Sequence, residues 1–100
     1  MKITVQKSEE SVLAAFEGRY DNDGATEVQG SIDEIVKLAS AGNRVSMDFS
    51  GVDFISSPAL KQIVAICEAS GENKVEVTGM SKYVHDVMQL SGFDKILTIL

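Results

Sequence analysis

The sequence predicts one small α/β domain: a mixed sheet of about five strands with helices mainly on one face, in the order β-β-α-β-α-β-α-β. Three observations carry this reading. The chain has 100 residues, 44% of them hydrophobic, enough for one core and too many for a disordered tail. From Arg44 onward, segments that alternate apolar and polar residues take turns with segments whose apolar residues recur at helical spacing. Ahead of them stand two strand-like segments joined by a short polar linker. That favours an antiparallel hairpin, followed by strand–helix–strand units with right-handed crossovers. No repeat, low-complexity segment or linker divides the chain, so one domain is expected over residues 1–100.

Each element has its own signal. In MKITVQ, Ile3 and Val5 alternate with polar residues, as in a half-exposed strand; KSEE then leads into a second, more apolar strand, SVLAAFEG (Ser11 to Gly18). GATEVQGSIDEIVKLASAGN places Val28, Ile32, Ile35, Val36 and Ala39 on one helical stripe, and Gly42 and Asn43 supply the stop. Gly30 lies inside that pattern at a cost of roughly 1 kcal/mol against Ala, which weakens the first turns. RVSMDFSG is a strand with Val45, Met47 and Phe49 facing one way, and VDFI continues it in extended form. A helix begins at Pro58, with Leu60, Ile63, Val64 and Cys67 on a stripe that Ile66 widens, and ASGENK ends it. KVEVTG is a strand through Val75 and Val77. SKYVHDVMQLSG is a helix opened by Ser81, with Val84, Val87, Met88 and Ser91 inward, and DKILTIL is the last strand.

Composition excludes several function classes. Fifteen acidic against nine basic residues give a net charge of −6, the wrong sign for a phosphate backbone or an anionic membrane. Cys67 is the one cysteine, so no internal disulfide and no multi-thiolate zinc site can form. The start has no apolar run of signal-peptide length, and no segment reaches the roughly 18 apolar residues that span a bilayer. A soluble cytoplasmic protein is expected.

The joint between the third strand and its helix, Ser56-Ser57-Pro58, concentrates the chemistry. Proline suits the first helical position and pushes its predecessor toward extended dihedrals, which an N-cap wants. Ser57 as N-cap before Pro58 at N1 follows from these preferences. The same location would offer free N–H groups and a partial positive charge to a phosphate on Ser57.

The stretch DFSGVDFISSPALKQIV resembles the signature of the STAS family, in its anti-sigma factor antagonist type, whose pattern runs roughly D-L-S-x-V-x-F-I-D-S-S-G-L. VTGMSKYVHDVMQLSGFDKIL resembles that family's C-terminal part. FEGRYDNDGATEV is similar to its G-x-L-D-x-x-T-A segment, and together these span nearly the whole chain. The resemblance implies that Ser57 is the phosphoacceptor. It puts Ser56 where the family has Asp, Pro58 where it has a second Ser, and Ala59 where it has Gly. Asp21 takes the place of the Asp that closes the second strand. The implied function is a cytoplasmic regulatory module whose unphosphorylated form binds an anti-sigma factor that is also a serine kinase. That kinase would use its own ATP to phosphorylate Ser57 and end the interaction, and a phosphatase would reset it. The chain itself would need no cofactor. The implied partner surface comprises Asp21, Asn22, Asp23, Gly24, Ser56, Ser57, Pro58 and Ala59. The family's further C-terminal helix is expected to be short or absent, and the resemblance leaves the oligomeric state open.

Two alternatives stand beside this. One is an unphosphorylated STAS subunit accessory to a transporter ATPase or a signalling scaffold. The other is a small serine hydrolase using Ser57, which would need His85 and an acid to converge on a joint that is not a G-x-S-x-G elbow. His85 is expected at the solvent or core edge, and Cys67 as a buried inert thiol. Gly18, Gly24 and Gly30 form no dinucleotide loop, and Asp21, Asn22 and Asp23 read as a solvated turn rather than a calcium loop.

Overall fold

The structure is a computed structural model describing residues 1–100. Strands β1 (Lys2–Ser8) and β2 (Ser11–Glu17) form the expected antiparallel hairpin, with Ile3 opposite Phe16 and Ser8 opposite Ser11. Only Glu9 and Glu10 make the turn. Glu9 takes the left-handed conformation (φ 52°) that two-residue hairpin loops demand. β3 (Arg44–Gly51), β4 (Val75–Thr78) and β5 (Leu97–Ile99) then add in parallel, giving one sheet in the order β1-β2-β3-β4-β5.

This order settles where the helices lie. Three crossovers, from β2 to β3, β3 to β4 and β4 to β5, all step in the same direction across the sheet. Right-handed connections that never reverse direction must place every helix on the same face. That face buries Val12, Ala14, Phe16, Val45, Met47, Phe49, Val75 and Val77. The opposite face carries Thr4, Ser46, Asp48, Glu76 and Thr98, exposed or half-buried. The alternating burial of β2 and β3 is the direct trace of a sheet covered on one side.

The single long helix expected after β2 is two. α1 (Asn22–Glu27) and α2 (Gln29–Ser40) break at Val28, whose φ of −103° and ψ of 8° are not helical. Val28 is 3% exposed, so the break turns it into the core. The side-chain amide of Gln62 donates to the Ala25 carbonyl at 2.8 Å near this break, supplying a donor where regular helical partners run out. Gly30 falls in the first turn of α2, where the sequence pattern was weakest.

α3 (Ser57–Ser70) packs against α1 and α2. α4 (Lys82–Leu90) precedes a 3₁₀ turn, Phe93–Lys95, so the last strand is shorter than DKILTIL suggests. The buried stripe of α3 is Ala59, Gln62, Ile63, Ile66 and Ser70. Leu60, Val64 and Cys67 are half-buried beside it. The expected stripe is thus rotated toward α1 and α2, because Gln62 can be buried once its amide is fully hydrogen-bonded. Cys67 is correspondingly half-buried rather than buried, and Ser91 is exposed.

Candidate functional site

The C-terminal ends of β2, β3 and β4 bring three loops to one end of the sheet, the end where open α/β folds place their sites. Two of these loops hold the residues singled out from sequence, and the backbone ties them together. Tyr20 and Ile55 form an isolated parallel bridge beyond β2 and β3, and the Ser56 N–H donates to the Tyr20 carbonyl at 2.9 Å. Asp21, Asn22, Asp23 and Gly24 therefore sit beside Ser56, Ser57, Pro58 and Ala59.

Each loop ends in a helix cap. Asp21 is the N-cap of α1 and accepts from the Gly24 N–H at 2.7 Å; its other oxygen lies 3.4 Å from Arg19 Nε. Gly24 is required by close approach, since a Cβ there would lie 2.4 Å from the Arg19 carbonyl oxygen. In the second loop Ser56, not Ser57, is the N-cap. Ser56 is extended (φ −110°, ψ 171°), and its hydroxyl accepts from the Ala59 N–H at 3.4 Å. Ser57 is the first residue of α3 and Pro58 the second. The assignment of Ser57 as cap is corrected by one residue. Proline at the second helical position also lacks an N–H that the helix would leave unpaired, so the Ser-Pro preference does not distinguish the two registers. Ser57 is exposed and takes no part in the cap, which leaves its hydroxyl available.

Behind the loops runs a buried polar network that sequence reading did not anticipate. The Tyr20 hydroxyl donates to Gln62 Oε1 at 2.6 Å, and Gln62 Nε2 donates to the Ala25 carbonyl at 2.8 Å and to Gln29 Oε1 at 2.9 Å. Tyr20 is fully buried against Phe16 and Phe49, and burial pushes its hydroxyl pKa well above the ordinary value. This network joins the β2–α1 loop to α3 and fixes the cap residues between them. The available signal was spacing: Gln62 lies four residues before Ile66, the residue that widens the apolar stripe of this helix.

A third feature lies on the outer rim. The Arg19 guanidinium sits 4.0 Å from the Phe54 ring centroid, and Phe54 stacks on Tyr83 with centroids 6.1 Å apart and planes 11° apart. Tyr83 lies off the Val84–Met88 stripe of α4, and that displacement is its sequence signal. A groove of about 450 Å³ opens between α2 and α3, lined by Gln29, Asp33, Val36, Pro58 and Lys61. His85 is half-buried on α4, at the core edge as expected. No helix is long and apolar enough to cross a membrane.

Residues 3–99 match the family described as Mlab, STAS domain. The chain belongs to the STAS family. No curated protein matches its sequence. Among solved structures, the STAS fold here resembles an anti-sigma factor antagonist from Mycobacterium paratuberculosis (21% identity, 98% of this chain and 83% of that one, TM-score 0.82). It also resembles an anti-sigma-factor antagonist (STAS) domain protein from Planctomyces limnophilus (19%, 98% and 87%, TM-score 0.79). A third similar structure is the Bacillus cell fate determinant SpoIIAA in its phosphorylated form (13%, 99% and 91%, TM-score 0.72). At these identities the likeness is one of fold.

Proposed function

We propose that this STAS domain is a regulatory protein-binding module of the anti-sigma factor antagonist kind. Its docking end is formed by Asp21 to Gly24 and Ser56 to Ala59, and phosphorylation of Ser57 switches it off. The partner would be an anti-sigma factor that is itself a serine kinase, with a phosphatase to reverse the mark. One observation carries this reading: Ser56 performs the cap and leaves the Ser57 hydroxyl exposed at the first position of α3. A phosphate there would meet the positive end of the α3 dipole, so modification is compatible with the fold. It would also add negative charge to a rim that already carries Asp21 and Asp23, changing what a partner meets. The test is intact mass after incubation with ATP and the cognate kinase. A single phosphate is expected, lost in Ser57→Ala and kept in Ser56→Ala. A phosphate on Ser56 would overturn the register.

A second reading, an unphosphorylated accessory subunit of a transporter ATPase or a signalling scaffold, is favoured by two observations. Ser56 and Pro58 stand where antagonists of this family carry an Asp and a second Ser, so the acceptor lacks a neighbouring carboxylate and one backbone donor. The matching family model is also named for Mlab, not for an antagonist. No phosphate on Ser57 with the cognate kinase would select this reading.

A further inference from the structure

Lys61 is the only basic residue of α3, and it is exposed. It enters none of the chain's ion pairs. Along a helix a side chain meets those three and four residues away, which for Lys61 are Ser57, Pro58, Val64 and Ala65. Only Ser57 among them can acquire a charge. Ser57 is exposed as well, and the helix sets its Cβ about 5–6 Å from that of Lys61. The order along the chain is the favourable one, with the group that would become anionic N-terminal to the cation.

Other charged groups leave this pair free to form. Arg19 is engaged by Asp21 and by the Phe54 ring, and Lys82 by Asp86. Asp33, which lines the same groove as Lys61 from α2, accepts from the Gln29 amide and makes no ion pair with Lys61. A phosphate on Ser57 would bring a charge of about −1.5 to −2 and new acceptor oxygens within reach of the flexible lysine stem. We propose that Lys61 is the counter-cation of the Ser57 phosphate and holds it in an intrahelical pair along α3. The pair rests on reading Ser57 as the acceptor, and it gives the mark a fixed position. The phosphate would lie along the α3 wall of the groove, beside Pro58, instead of swinging free. A partner would then meet a placed anion and lose a free cation at the same time.

Phosphoserine incorporated at position 57 during synthesis of the chain tests the pair without a kinase. Failure of a kinase to mark Ser57 would therefore sink the switch and leave the pair measurable. The readout is a phosphorus NMR titration of the second ionisation of the phosphate, ordinarily near pH ~6. A lysine beside the dianion favours it, so the midpoint should be lower in the wild-type sequence than in Lys61→Gln. The expected difference is about two- to threefold in proton affinity. The carboxylates of the neighbouring elements, Asp21 and Asp23 at the start of α1, Asp33 on α2 and Asp53 before α3, are the same in both and cancel in the comparison. Lys61→Arg should keep the low midpoint. Lys74→Gln removes the same net charge beyond the far end of α3 and should leave the midpoint unmoved. The Lys61 ε-methylene signal should move with the phosphate's midpoint. Equal midpoints in wild type and Lys61→Gln overturn the proposal, as does an equal change in Lys74→Gln, which would assign the effect to net charge. A Lys61 signal that ignores the titration overturns it too.

Discussion

The Tyr20 hydroxyl reaches across 42 residues of sequence to donate to Gln62 Oε1 at 2.6 Å, in a site closed to solvent. Neither residue touches the surface where a partner would dock, yet both set it. Tyr20 carries the carbonyl that receives the Ser56 N–H, and Gln62 lies on the helix that Ser56 caps.

The two members of this pair should be energetically coupled. Tyr20→Phe orphans the Gln62 oxygen, and Gln62→Leu orphans the tyrosine hydroxyl, at about 1–3 kcal/mol each for a buried group left unpaired. The double variant should lose less than the sum. Chemical denaturation of the four proteins gives the cycle, and strict additivity would show that the bond contributes nothing of its own.

The cap register gives a second expectation. Ser56→Ala should cost about 0.5–2 kcal/mol, the range for a lost N-cap oxygen, and the low end fits its 3.4 Å bond. Ser57→Ala, at an exposed position outside the cap, should stay within about 0.5 kcal/mol of wild type. A larger loss for Ser57→Ala in urea melts would return the capping role to Ser57.

Two glycines should respond in opposite directions. Gly24→Ala drives a Cβ to 2.4 Å from the Arg19 carbonyl and must displace the loop that holds Asp21, at about 1–3 kcal/mol. Gly30 has open space around its Cβ position and helical backbone, so Gly30→Ala should gain about 0.5 kcal/mol. Thermal melts of both variants settle it; a stabilised Gly24→Ala would mean that the loop is looser than described.

The hairpin, the succession of strands and helices and the mixed sheet with helices mainly on one face were legible, because alternation, helical periodicity and right-handed crossovers are local or topological properties; the order of strands across the sheet came only from the structure. Residues 21–24 and 56–59 were legible as one surface only through the family resemblance. What tied them together, the Tyr20–Ile55 bridge and the Ser56 N–H, is a long-range backbone pairing outside regular strands, and it leaves no periodicity. The α1–α2 break was hidden because Val28 fits the helical stripe of both halves and is buried either way. Gln62 was passed over because a glutamine in an amphipathic helix is ordinarily assigned to solvent. Its burial depends on three partners on other elements. Ser56 and Ser57 are both good caps, and only the backbone dihedrals choose between them.

Burial, followed by the nearby Glu68 carboxylate, raises the Cys67 thiol from 9.0 to about 11. The folded state therefore holds this proton more tightly than the unfolded chain. The resulting stability is fully present below about pH 9 and lost as pH rises through about 11. The rate of reaction with a disulfide reagent should climb with a midpoint near 11, and Cys67→Ala should flatten the alkaline loss of stability. A midpoint at the ordinary thiol value would place Cys67 in solvent.

The switch itself predicts that folding and recognition separate at Ser57. The first turn of α3 favours negative charge, so Ser57→Asp should keep its melting temperature near wild type. The same charge, set badly into a partly desolvated interface, should weaken partner binding by about a hundredfold or more. Asp21 needs a more careful substitution. It caps α1 through the Gly24 N–H and also faces Arg19, so Asp21→Ala would confound stability with binding. Asp21→Asn keeps a capping oxygen and removes the charge, and should weaken binding with little change in the melt. Calorimetric titration of the cognate anti-sigma factor into each variant, beside a thermal melt of each alone, separates the two effects. Wild-type affinity in Ser57→Asp would remove the switch from this site. An unfolded Ser57→Asp would contradict the dipole argument, because the charge would then act on the helix rather than on the partner.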